Sequence, residues 1–129
     1  MTREEKELLI KDLSARVPYG VKIRVEYPFL EEKDWRPEDL HGLDLRKEVH
    51  VGTSVRIEEF KPYLRPMSSM NKEESEKFEE FLELQSEYTT GADIRFKYDM
   101  FDWLNKNHFD YRGLIEKGLA LDATELNIY

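Results

Sequence analysis

Cysteine is absent from the 129 residues, so the chain has no disulfide framework, no thiol nucleophile and no Cys-ligated metal. No apolar run approaches the ~18 residues of a membrane span. The first residues, MTREEKELL, are charged from Arg3 onward and lack the pattern of a secretory signal. These features make the cytoplasm the expected home and give no membrane partner. Glycine and proline are scarce, at six and five, which excludes collagen-like and low-complexity classes. Positive charge is also short: 20 basic side chains face 28 acidic ones, net −8. A protein that wraps nucleic acid needs many phosphate-neutralising cations, so this balance argues against one.

What is present suffices for a core. Hydrophobic residues make up 40% and aromatics 12%, and rings supply the large buried areas that folding needs. The length fits a single domain over 1–129, read as a helix plus β-meander (1–66), a helical half (67–121) and a tail (122–129). The acidity is concentrated: residues 71–94 hold two basic and eight acidic side chains, net −6. All five prolines (18, 28, 37, 62 and 66) precede residue 67, which places short strands and turns first and longer helices after.

Local patterns give the elements. Thr2 and Glu5 have capping-box spacing, and Leu9, Leu13 and Val17, with Leu8 beside them, form an apolar stripe that Pro18 and Gly20 end. Val21 to Tyr27 alternates strictly and reads as a strand, followed by a charged loop carrying Phe29 and Trp35. Weaker strands at 40–45, 48–51 and 54–60 have short connections, which imply antiparallel neighbours. The expected fold is therefore α+β: an N-terminal helix, then a four-stranded antiparallel meander whose closed version is an SH3-like or Sm-like small barrel. Three C-terminal helices follow. Asn71 caps the first, 71–88, with Phe78, Phe81, Leu82 and Tyr88 inward and Gly91 as terminator. Asp99 caps the second, to Asn107, and Asp110 caps the third, near 110–118. Lys61–Pro66 reads as a connector leaving the sheet.

Three stretches, EEKELLIKDLSARVPYGVK (4–22), KPYLRPMSSM (61–70) and FDWLNKNHFDYRGLIEKGLAL (101–121), are distinctive. They resemble a family of small proteins of bacteroidete genomes and their phages or prophages. The resemblance covers roughly two of every five residues, and the strand region 23–60 shares its layout. It implies mobile-element gene content. No activity is attached to it, so no catalytic or binding residue carries over. The ending LALDATELNIY departs from the Pro-Gly-containing one of the family.

Chemistry has one candidate constellation. His108-Phe109-Asp110 has H-x-D spacing, and His50 and Asp102 could complete an acid–base or metal site, the reading of a small hydrolase. Against it, Asp110 serves equally as an N-cap, Asn107-His108 as a turn, and H-x-D lacks a third ligand. A helix-turn-helix over 101–118, with Arg112 and Lys117 on phosphates, meets nearly matched acid and base on the same segment. Phosphate-loop, G-x-S-x-G, HExxH and EF-hand patterns are absent from the sequence, so the expectation is a non-enzyme with no cofactor and no metal.

The remaining candidates are surfaces. Glu73, Glu76, Glu80, Glu83 and Glu87 share one side of the 71–88 helix, and that density of like charge points to a basic protein partner. Lys22, Arg24, Arg46, Lys47 and Arg56 supply local positive charge for the alternative, a nucleic-acid-associated module using the β half. The leading expectation is a small non-enzymatic protein-binding or accessory protein of phage or prophage origin.

Overall fold

The structure, a computed structural model, describes residues 1–43, 48–50, 54–87 and 92–129, with side chains at 1–42, 55–84 and 98–129. Helix α1 runs Arg3–Arg16. Its capping box forms as spaced: the Glu5 amide donates to Thr2 Oγ1 at 3.1 Å, and the Thr2 amide donates to Glu5 Oε1 at 3.0 Å. Leu9 and Leu13 are fully buried. After Arg16 the chain tightens into a 3₁₀ turn, Val17–Tyr19, and Gly20 reverses it at φ +72°.

Strand β1 (Lys22–Val25) keeps the expected alternation, with Val21, Ile23 and Val25 buried and Lys22 and Arg24 half-buried on the other face. The remaining strands are β2 (Pro37–Asp39), β3 (Gly42–Leu43), β4 (Glu48–His50), β5 (Ser54–Arg56), β6 (Phe60–Leu64) and β7 (Leu121–Asp122). They do not form the expected four-stranded antiparallel meander, and among the described residues no barrel closes. One sheet has the order β2–β1–β6–β7 and mixes directions, because β7 lies parallel to β6. A separate antiparallel sheet holds β3–β4–β5.

The correction centres on β6, the segment read as a connector because of its prolines. Pro62 lacks an N–H, yet β6 pairs with β1 through Ile23↔Pro62, Arg24↔Lys61 and Val25↔Phe60. The Glu26 amide donates to the Glu59 carbonyl at 2.8 Å. Bonded and open pairs alternate along an antiparallel ladder, so Arg24/Lys61 is the next bonded pair. Pro62 falls at an open position, where β1 asks nothing of its nitrogen. The next bonded position, Lys22/Tyr63, is bridged rather than direct: the Lys22 amide donates to the Tyr129 hydroxyl at 2.8 Å, which donates to the Tyr63 carbonyl at 2.7 Å. The tail thus completes the ladder with one side chain.

Among the described residues the helical half contains α2 (Lys72–Glu87) and α3 (Ala92–Lys106), not three helices. Asn71 caps α2 as expected, accepting from the Glu74 amide at 2.8 Å. Phe81 is buried and Phe78 half-buried, but Leu82 faces outward with 44% of its surface exposed. Tyr88 and Gly91 lie outside the described residues. Helix α3 starts well before Asp99, which sits within it. The expected third helix is a run of turns: the Asp110 carboxylate accepts from the Leu114 and Ile115 amides at 2.8 and 2.9 Å, but Gly113 and Gly118 sit at φ +72° and +73°. Left-handed residues cannot continue an α-helix.

Two apolar clusters result. One gathers Leu9, Leu13, Ile23, Phe60, Leu64 and Leu114 between α1 and the larger sheet; the other gathers Phe81, Met100, Leu104 and Phe109 between α2 and α3. Among the described residues, no helix is long and apolar enough to cross a membrane.

The bridged ladder gives a direct expectation. Tyr129→Phe leaves the Lys22 N–H and the Tyr63 carbonyl without their partner and costs about 1–3 kcal/mol. Denaturant unfolding reads the loss, and amide exchange at Lys22 should quicken.

Candidate functional site

Of the residues singled out in the sequence, His108 and Asp110 share the turn after α3 but are not bonded to each other, and Asp102 stands apart from them on the surface. Helix α3 ends at Lys106, and His108 turns the chain with a left-handed backbone, φ +62°. The His108 carbonyl accepts from the Arg65 amide at 2.8 Å, and the Asp110 amide donates to the Arg65 carbonyl at 2.8 Å. Arg65 and Phe109 thereby form a single parallel bridge that pins the turn to the end of β6. The Asp110 carboxylate is occupied by the amides of Leu114 and Ile115, and it makes no bond to the His108 ring. Asp102 is exposed on α3, and the side chain of His50 lies outside the described residues. Among the described residues, no group of three or more His, Asp or Glu is placed to hold a metal.

The His108 imidazole stacks on the Tyr129 ring, with centroids 3.7 Å apart and planes 15° from parallel. Its Nδ1 is buried with no hydrogen-bond partner. Burial, reinforced by the nearby positive charges of Arg16, Arg65 and Lys22, pushes the imidazole down to about 4. Burial also pushes the Tyr129 phenol up to about 12, against the opposing pull of its bond to the Lys22 backbone. At neutral pH the pair is a neutral ring on a protonated phenol. It holds the tail in place and is poorly set to exchange protons.

Beneath this pair lies a polar network that sequence reasoning missed. Asp12 and Arg16 are both fully buried on α1. Arg16 donates to Asp12 through Nε at 2.8 Å and Nη2 at 3.1 Å, and Nη2 also reaches the Phe109 carbonyl at 2.6 Å. Arg112 donates to the same carboxylate at 3.2 Å and to the Tyr111 hydroxyl at 3.2 Å, which in turn donates to Asn105 Oδ1 at 2.9 Å. Tyr111 lies between the two guanidiniums, 5.3 Å from Arg16 and 5.0 Å from Arg112. A signal existed: Asp12 and Arg16 each follow a core leucine by three residues, on the buried side of α1.

Arg65 forms the second polar centre. Its guanidinium lies 4.2 Å from the Phe109 ring centroid and is held by Glu74 through two bonds of 2.8 and 2.6 Å. That hydrogen bonding holds the Glu74 carboxyl below the ordinary carboxylate range. Arg65, Asn71, Glu74, Thr124, Asn127 and Tyr129 line a cleft of about 350 Å³ between the start of α2 and the tail. With Arg65 and Glu74 satisfying each other, the cleft has no unmatched charge to offer a ligand.

The surface candidates separate clearly. Glu73, Glu76, Glu80 and Glu83 are exposed on α2, together with Glu79, while the side chain of Glu87 lies outside the described residues. On the β half, Lys22 is paired with Asp39 at 2.6 Å and Arg24 with Glu26 at 2.9 Å. Arg56 is exposed, and Arg46 and Lys47 lie outside the described residues. The helix-turn-helix reading fails, because 110–118 is not helical and Arg112 is engaged with Asp12.

A pH dependence follows from His108. Its native value of about 4 lies below the unfolded value of 6.5, so between these pH values the unfolded chain binds a proton that the native chain does not. The stability it contributes is complete above pH ~6.5 and falls by about 3 kcal/mol as the pH drops through ~4. His108→Asn, which tolerates the left-handed backbone, should flatten that part of the stability–pH curve.

No protein family, curated protein or solved structure matches the chain.

Proposed function

We propose that the protein is a small non-enzymatic binding module of the cytoplasm that docks on a basic protein surface through the outer face of α2. One observation carries this reading. Glu73, Glu76, Glu79, Glu80 and Glu83 are all exposed on α2, whose opposite side packs Phe78 and Phe81 inward. Lys77 approaches Glu80 only at 4.0 Å, and Glu73, Glu76 and Glu79 have no ion pair among the described residues. Such a face repels like charge and attracts cations, speeding encounter with a basic partner. Leu82, exposed on the same helix, adds apolar area. The resemblance to small phage- and prophage-associated proteins fits an accessory role of this kind.

The competing readings draw less support. A hydrolase centred on His108 lacks a carboxylate on the imidazole, since Asp110 is committed to backbone amides. A nucleic-acid surface on the β half loses Lys22 and Arg24 to their carboxylate partners.

The test is charge reversal. Glu76→Lys with Glu80→Lys should leave stability within about 0.5 kcal/mol, because both side chains are exposed. Association with a basic partner captured from the native host should slow by about ten-fold at low salt. The difference should shrink near 1 M salt, where screening acts within about 3 Å. Unchanged association by the folded double variant would remove α2 from the binding surface.

A further inference from the structure

We propose that the seat of Tyr129 is a tyrosine-recognition site, held closed by the protein's own tail and opened to the tyrosine of an extended segment of a partner protein. It does not depend on the outer face of α2.

The seat is built for a phenol rather than for any apolar ring. The Lys22 amide donates to the Tyr129 hydroxyl at 2.8 Å, and the hydroxyl donates to the Tyr63 carbonyl at 2.7 Å. Its occupant must therefore carry one group that both accepts and donates. Phenylalanine leaves both backbone groups unmatched, and a phosphorylated tyrosine sets acceptor oxygens against the Tyr63 carbonyl. The His108 imidazole forms a flat wall, stacked on the phenol with centroids 3.7 Å apart. His108 sits at φ +62° and Asn127, two residues before Tyr129, at φ +53°. Left-handed non-glycine residues thus stand on both sides of one contact, and such backbone gathers at functional sites.

The tail holds the seat by a single catch. The Ala123 amide donates to the Leu64 carbonyl at 2.9 Å, where the tail leaves the sheet. Among the described residues, no hydrogen bond joins 124–128 to the body of the molecule. The Thr124 amide donates to Asp122, and the Leu126 amide donates to the Ala123 carbonyl. Thr124, Glu125, Leu126 and Asn127 are exposed. The cleft of about 350 Å³ separates this stretch from Ser69, Asn71 and Glu74. Neither apolar cluster contains a residue beyond Ala120, so releasing Tyr129 leaves both in place.

An incoming segment gains what the tail forgoes, because polar side chains beside its tyrosine reach Ser69 and Asn71 in the cleft. A second copy of this chain is a poorer occupant. Its tail must leave an identical seat, and it competes with a tethered one at an effective concentration on the order of mM.

The probe is a blocked peptide copying residues 125–129, with the same peptide carrying Phe in place of Tyr as control. It is added to the full chain and followed by chemical shifts. The wild type should bind the tyrosine peptide saturably, with shifts at Lys22, Tyr63 and His108 and release of Tyr129, while the amides of Leu9 and Ile23 hold their positions. The phenylalanine peptide should bind about ten-fold more weakly. Tyr129→Phe, which keeps the ring and loosens the catch, should bind the tyrosine peptide about three-fold more tightly than wild type, and Tyr129→Ala about ten-fold, because the tail competes less. Adding His108→Asn to Tyr129→Ala should cost about five-fold through the lost stack. Binding by Tyr129→Ala with none by the wild type would make the tail a fixed part of the fold and overturn the proposal. Equal affinity for the two peptides, or dimerisation of the peptide-free chain with Tyr129 seated in a second copy, would also overturn it.

Discussion

The buried pair of Asp12 and Arg16 is the constraint on which the other parts of the molecule depend. Two opposite charges one helical turn apart on α1 are removed from water, and burying them is favourable only if their remaining hydrogen-bonding capacity is met. Except at Arg16 Nη1, which is buried without a partner, the Phe109 carbonyl and Arg112 meet it. Both belong to the segment after α3, far along the sequence. The requirement to satisfy a charge on the first helix therefore fixes where the turn after the third must lie. With that turn placed, Leu114 and Leu119 fall into the apolar cluster against α1 and the larger sheet.

Arg65 repeats the logic at the other side of the turn. Its backbone brackets Phe109, while its guanidinium covers the Phe109 ring and binds Glu74. Glu74 also accepts from the Asn71 amide in the capping box of α2. One carboxylate thus starts a helix and anchors it to the end of β6. The left-handed His108, the stack with Tyr129 and the hydroxyl bridge between β1 and β6 follow from the same placement. A buried imidazole that sacrifices its Nδ1 bond is tolerable here because the ring is neutral and packed flat.

Features governed by near neighbours were legible in the sequence. The Thr2/Glu5 and Asn71/Glu74 boxes, the stop at Pro18–Gly20 and the buried face of Val21, Ile23 and Val25 each need only a few residues to specify. Features that depend on distant partners were not. Pro62 made β6 look like a connector, since whether a missing N–H matters depends on ladder register. Asp110 looked like the cap of a helix, and it does bind two amides, but two left-handed glycines divert the chain. The pairing of Asp12 with Arg16 went unread, because only the distant Phe109 and Arg112 make their burial tolerable. At the candidate site, H-x-D spacing was visible, whereas the use of Asp110 on backbone amides and of His108 on Tyr129 was not.

The buried and half-buried arginines of this molecule are spent on its own carboxylates. Arg16, Arg24, Arg65 and Arg112 are all held by carboxylates, while Glu73, Glu76, Glu79, Glu80 and Glu83 of α2 face solvent. An acidic exterior on a frame of internal ion pairs ties the binding reading to the fold, so the frame is the part to test first. A double-mutant cycle on Asp12→Leu and Arg16→Met does so by chemical denaturation. Each single change should cost about 3–5 kcal/mol by leaving one buried charge unmatched, and the double variant should cost well below their sum. Additive losses, or single losses below about 1 kcal/mol, would contradict the account.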